Sequence, residues 1–193
     1  MDRFLVPVIY GSVRRARVGI KAARYVVRRL RELDCEPVLV DPLEKPLPML
    51  DLMYKEYDPG TAPPVMEELA QLFRKADGFV IVSAEYNQSI PPALSNLLDH
   101  YLEEFFWRPA GIASYSAGRF AGTRAAYALR TMLAEMGMVT MPSMLQIASV
   151  QNAFDDEGVP SDPRMDAFAK TFFDELLWYM RATKSARAQG VPY

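Results

Sequence analysis

The sequence is short of the residues from which most enzyme sites are built. Of its 193 residues only Cys35 is a cysteine and only His100 a histidine. One cysteine excludes an internal disulfide, and one cysteine with one histidine cannot assemble a Cys/His zinc cluster. A Ser-His-Asp or Cys-His hydrolase would have to recruit His100, which lies inside the apolar helical pattern NLLDHYLEE rather than after a strand. The pattern assigns it to a helix surface. No stretch approaches the ~20 apolar residues that span a bilayer. The start, MDRFLVPVIYGS, has neither the apolar length nor the small-residue cleavage site of a secretory signal. These absences point to a cytoplasmic chain. Acidic residues are missing locally: residues 3 to 31 hold no Asp or Glu and nine Lys or Arg.

What is present is ordinary globular material, 50% hydrophobic and 24% charged, in a length that suits one domain over residues 1–193. The net charge of −2 conceals a strongly basic beginning, since 13 basic residues face all 24 acidic ones elsewhere. Overall acidity argues against nucleic acid as a partner, so the basic segment needs another explanation.

Short apolar runs alternate with helical spacing through five cycles. FLVPVIY, EPVLVD, FVIVS, GIASYS and VTMPSMLQIAS read as strands, with Pro7 the weak point of the first. Helices are expected over RVGIKAARYVVRRLREL, Val65 to Ala76, PPALSNLLDHYLEEFF, GTRAAYALRTMLAEMG and DPRMDAFAKTFFDELLWYMRATKSAR. In the first helix Arg17, Lys21, Arg24, Arg28 and Arg31 recur at steps of four and three, which reads as a solvated basic stripe. Pro42 to Pro64 is a long connection suited to a lid or a partner-facing segment. Asp155 to Gly158 is a surface turn without the alternation of a calcium loop, and the tail AQGVPY should be loose. The pattern predicts an α/β fold: a doubly wound, flavodoxin-like five-stranded parallel sheet in order 2-1-3-4-5, with helices on both faces.

In such a sheet ligands bind beyond the carboxyl ends of the strands, near the switch between strands 1 and 3. The loops there are GSVRRARVG, SAEYNQSIPP and SYSAGRFAG. The first is neither a Walker loop nor GxGxxG. It offers Ser12, Arg14, Arg17 and the amides of a helix N-terminus, the chemistry of a phosphate monoester site. The second sets Glu85, Tyr86 and Asn87 after a buried strand, where a ring could be flanked, with Ser89 as a helix cap. The third brings Arg119 and small residues that let backbone approach a flat ligand, with amides able to stabilise negative charge on it.

Together these loops resemble the NADPH-dependent FMN reductase family, flavodoxin-like proteins that include quinone, azo-dye and chromate reductases. GSVRRARVG is similar to the family's GSxRxxR/S loop, EYNQSIPPALSNLLD to its PEYNxSxPGxLKNAID segment, and SYSAGRFAGTRA to its third loop. Ala84, Pro92 and Ser95 stand where that pattern has proline, glycine and lysine. The resemblance implies FMN, its phosphate held by Ser12, Arg14, Arg17, Val18, Gly19 and Ile20. The ring would meet Ala84, Glu85, Tyr86 and Asn87 on one side and Ser116, Ala117, Gly118 and Arg119 on the other. The implied activity is hydride transfer from NADPH or NADH to FMN and on to a small-molecule acceptor, with no protein acid or base assigned. The alternative is a flavin-binding electron carrier or redox-responsive interaction protein without nicotinamide turnover. Aromatic density at Phe105, Phe106 and Trp107 suggests either core or a dimer surface, and with the long connection it leads us to expect a homodimer, or a tetramer, with the flavin near the interface.

Overall fold

The computed structural model describes residues 3–193. Five strands, β1 (Leu5–Tyr10), β2 (Glu36–Val40), β3 (Phe79–Ala84), β4 (Pro109–Tyr115) and β5 (Val139–Ile147), form one sheet of order β2-β1-β3-β4-β5 with every pairing parallel. This is the doubly wound, flavodoxin-like order expected from the sequence. β3 and β4 are buried along their whole length, as strands covered on both faces must be. Pro7 is accommodated because its ladder with β3 begins one residue later, at Val8↔Val80, while the Asp77 carboxylate accepts the Leu5 N–H at 3.1 Å.

The helices α1 (Ile20–Glu32), α2 (Pro64–Lys75), α3 (Pro92–Asp99), α4 (Thr123–Glu135), α5 (Val150–Ala153) and α6 (Met165–Arg187) divide between the two faces. α1 and α6 bury Val26, Leu30, Phe173 and Leu176 against one side of the sheet. α2, α3 and α4 bury Phe73, Leu98 and Leu129 against the other. At ~25 cal/mol per Å2 of apolar surface, these two layers are the main source of stability. None of the described helices is long and apolar enough to cross a membrane.

Four expectations need correction. The third helix stops at Asp99, and the apolar periodicity continues through a 3-10 turn at Glu103–Phe105, so Tyr101 and Phe105 are buried outside the α-helix. His100 is buried at that helix end rather than on its surface, with Nδ1 2.6 Å from the Asn96 carbonyl oxygen. The tail is not loose: the Tyr193 ring lies 4.7 Å from the Trp107 ring, whose N–H points to the Tyr193 carbonyl oxygen at 3.4 Å.

The fourth concerns the basic stripe of α1, which is solvated only in part: Arg24 and Arg31 are exposed, but Arg17, Lys21 and Arg28 are half-buried. The chain from Phe154 to Asp166 lies along it, and Lys21 pairs with Asp156 at 2.8 Å while Arg24 donates to the Asp156 carbonyl at 2.6 Å. Arg28 and Arg29 share Glu32 and Asp166. Gly158 presses on the helix so closely that a Cβ there would fall 2.4 Å from the Tyr25 backbone nitrogen.

Candidate functional site

The loops that follow β1, β3 and β4 surround a cleft of about 200 Å3 at the carboxyl ends of the central strands, beside the switch between β1 and β3. Ser12, Arg14, Arg17, Val18, Gly19, Ala84, Glu85, Tyr86, Ser116 and Ala117 all line it. Four residues implied by the resemblance do not. Ile20 starts α1 and leans on the core; Asn87 is exposed at a hairpin tip; Gly118 is exposed with open space around it. Arg119 lies outward with its guanidinium 4.9 Å from the Phe120 ring.

The first loop ends at the N-terminus of α1, whose first turn has neither an acidic residue nor a side-chain cap and whose Ile20, Lys21 and Ala22 amides turn back to the Arg17, Val18 and Gly19 carbonyls. Among the described residues, the N–H groups of Val13, Arg15, Ala16 and Gly19 meet no acceptor. Unsatisfied amides and the helix dipole together make a place for an anion. Gly19 is required by close approach, because a Cβ would sit 2.0 Å from the Tyr115 ring. That ring stacks on Tyr10 at 6.3 Å between centroids and 18° between planes, and its hydroxyl donates to the Tyr10 oxygen at 3.2 Å. Burial raises the pKa of both phenols, so they remain neutral donors in the floor.

Arg14 and Arg17 differ. Arg14 is exposed on the loop with no carboxylate partner among the described residues. Arg17 is pinned: Nη1 bonds the buried Asp41 carboxylate and donates to the Ser12 carbonyl at 3.3 Å, and the guanidinium lies 5.5 Å over the Tyr10 ring. The bond to Asp41 pushes the Arg17 pKa further up. Arg17 therefore shapes the loop through Nη1, while Nη2 and Nε keep no protein partner.

The second loop is a tight hairpin. Tyr86 and Ser89 exchange N–H to carbonyl bonds of 3.0 and 2.9 Å, and Asn87 and Gln88 between them take φ of 49° and 64°. Ser89 is thus spent on the hairpin rather than on a cap; α3 begins after Pro91 with no side-chain cap. The hairpin aims Tyr86 at the first loop, where its hydroxyl meets Ser12 Oγ at 2.8 Å. Glu85 turns toward the third loop, accepting the Arg124 N–H at 2.9 Å and Nη1–H at 3.2 Å.

The third loop has its carbonyls turned away. Ser116, Ala117 and Gly118 accept from Val150 N, Gln151 Nε2 and Ser149 N at 3.1, 3.3 and 3.3 Å. The N–H groups of Ala117, Gly118 and Arg119 have no partner among the described residues, so the loop keeps donors free for a ligand's acceptor edge. Sequence reasoning missed Tyr10, Tyr115, Asp41 and Val150. The first three stand at or just past strand ends, where position alone would have flagged them; α5 is too short for any periodicity.

The donor set matches a ligand with an anionic tail and a flat head carrying hydrogen-bond acceptors. The sequence profile of the NADPH-dependent FMN reductase family matches residues 5–152. The chain belongs to this family, whose members use FMN with NAD(P)H as co-substrate. It is 36% identical over 126 residues to an NAD(P)H-dependent FMN reductase of Pseudomonas aeruginosa, covering 62% of this chain and 68% of that one. A quinone reductase of Escherichia coli is 30% identical over 147 residues, 72% of this chain and 74% of the other. Among solved structures, the NAD(P)H:acceptor oxidoreductase of Paracoccus denitrificans superposes with a TM-score of 0.74 over 92% of this chain and 97% of its own, at 22% identity.

Proposed function

We propose that this FMN reductase family member passes hydride from NADPH or NADH to FMN in the cleft and on to a second small-molecule acceptor, a quinone, free flavin, azo compound or metal oxyanion. The observation that carries the reading is the convergence of three loops on one cleft, the first and third with unpartnered amides, with Arg14 on its anion side. Bound FMN supplies the hydride relay itself. The chain's residues bind and orient. The α1 N-terminus, Ser12 and Arg14 take the phosphate, Arg17 holds their loop in shape, and the amide of Ala117, which lines the cleft, would stabilise charge that grows on the ring edge. No acid or base is assigned, because hydride transfer between nicotinamide and flavin needs none.

We also assign a homodimer. Val13, Leu43, Met49, Leu50 and Leu52 expose apolar surface on the first loop and the long connection, and a second copy would bury it beside the cleft.

Titrating the apoprotein with FMN and following the visible spectrum tests the first reading; no spectral change at micromolar protein would overturn it. Anaerobic addition of NADPH and NADH should then bleach the flavin, and an acceptor panel would rank the second substrate. FMN binding without bleaching by either nucleotide would replace the enzyme with a carrier. Sedimentation should show two copies, and a monomer with FMN bound would defeat the dimer.

A further inference from the structure

Glu85 is the only carboxylate among the described residues that line the cleft. It belongs to the second loop, yet both its oxygens are spent on Arg124, in the first turn of α4 beyond the third loop. α4 begins after Gly122, which has no side chain to cap it, so a residue 39 positions away satisfies one of its orphan amides. The carboxylate also gains from the helix dipole, and its side chain is only 13% exposed. The Arg124 guanidinium in turn lies 5.0 Å from the Phe120 ring of the third loop. From the other side the third loop is bonded to α5 through its carbonyls.

We propose that Glu85 and Arg124 form a positioning clasp. It fixes the separation of the second and third loops across the cleft, and it neutralises the one anion that would oppose electron entry into a flavin ring there. The proposal rests on the FMN reading above. A bare carboxylate beside a flavin makes reduction harder, because each added electron meets a fixed negative charge in a partly desolvated site. Paired with Arg124, the same group costs the ring little and holds two loops together.

The test uses purified protein reconstituted with FMN, in four forms: wild type, Arg124→Gln, Glu85→Gln and the double variant. Dissociation constants for FMN and riboflavin, the midpoint potential of bound FMN and the thermal midpoint of each apoprotein are measured. Arg124→Gln should weaken FMN and riboflavin by the same factor, roughly tenfold, which is the worth of one charge-assisted hydrogen bond. It should also move the midpoint potential to more negative values. Adding Glu85→Gln should bring the potential back toward wild type without restoring the affinity. A fall in affinity that tracks the thermal midpoint, with the potential unmoved, would reduce the pair to a structural contact and overturn the proposal. A loss larger for FMN than for riboflavin would also overturn it, by placing the clasp on the phosphate. Wild-type protein that binds neither flavin would defeat the FMN reading and the clasp with it; wild-type binding with all variants unchanged would defeat the clasp alone.

Discussion

The arginines before α1 and those along α1 come from one uninterrupted basic stretch, but they meet opposite surroundings. Along the helix, Lys21, Arg24, Arg28 and Arg29 already meet oxygens of the Phe154–Asp166 segment. Before the helix, Arg14 and Arg15 find no carboxylate among the described residues, and Arg14 lines the cleft beside free amides. Arg17 lies between the two cases, lining the cleft while its Nη1 is held by buried Asp41. A run of cations thus carries no single meaning. What separates a binding arginine from a structural one is whether an anion of the same chain already faces it.

The largest test of that division is Arg17→Ala. It strips the partner from a carboxylate that is 2% exposed, and an uncompensated buried charge costs about 3–5 kcal/mol. Urea unfolding should show that loss, and pairing Arg17→Met with Asp41→Leu should recover most of it. Full stability in Arg17→Ala would mean that Arg17 is a free ligand like Arg14. Next comes Gly158→Ala, which probes the covered face. The residue has φ of 82°, and a new Cβ would run into α1 backbone rather than a side chain that can swing away. Strain and displacement together should cost roughly 2–4 kcal/mol in thermal or chemical unfolding, with FMN affinity unchanged in the folded protein. Smaller in energy but sharper in meaning is Arg14→Ala: the apoprotein should keep its stability and bind FMN about 10- to 100-fold more weakly, the range for one charge-assisted hydrogen bond. Riboflavin, lacking the phosphate, should bind as before.

The sheet order was legible because strands buried on both faces leave continuous apolar runs, and because parallel connections admit few topologies. The three loops were legible for the same reason, since strand order alone places them together. Legibility failed where the deciding contact is distant in sequence. The α1 stripe reads as wholly solvated until a segment more than 120 residues later is laid against part of it. His100 and Phe105 continue a helical period past the end of α3 because burial, not helix geometry, sets that pattern. Glu85 was expected beside a ring, and only the fold shows that its oxygens are occupied by Arg124.

The smallest expected effect comes from the double change Arg24→Gln and Arg28→Gln, and it decides whether the stripe belongs to the site. Arg28 is paired at 2.5 Å with Glu32 and at 3.5 Å with Asp166, while Arg24 reaches only a backbone carbonyl. Partly exposed pairs of this kind contribute about 0.2–1 kcal/mol each and weaken as salt rises. The double variant should therefore lose about 1 kcal/mol at low ionic strength and less at high, with the dissociation constant for FMN unmoved. If FMN binding fell by as much as in Arg14→Ala, the stripe would be reaching the phosphate through its field, and the boundary would have to be drawn by distance from the cleft instead of by the presence of a carboxylate. If stability stayed flat at both salt concentrations, the Phe154–Asp166 segment would be held on α1 by Gly158 and its neighbours alone, and the arginines of the stripe would be spectators of a steric fit.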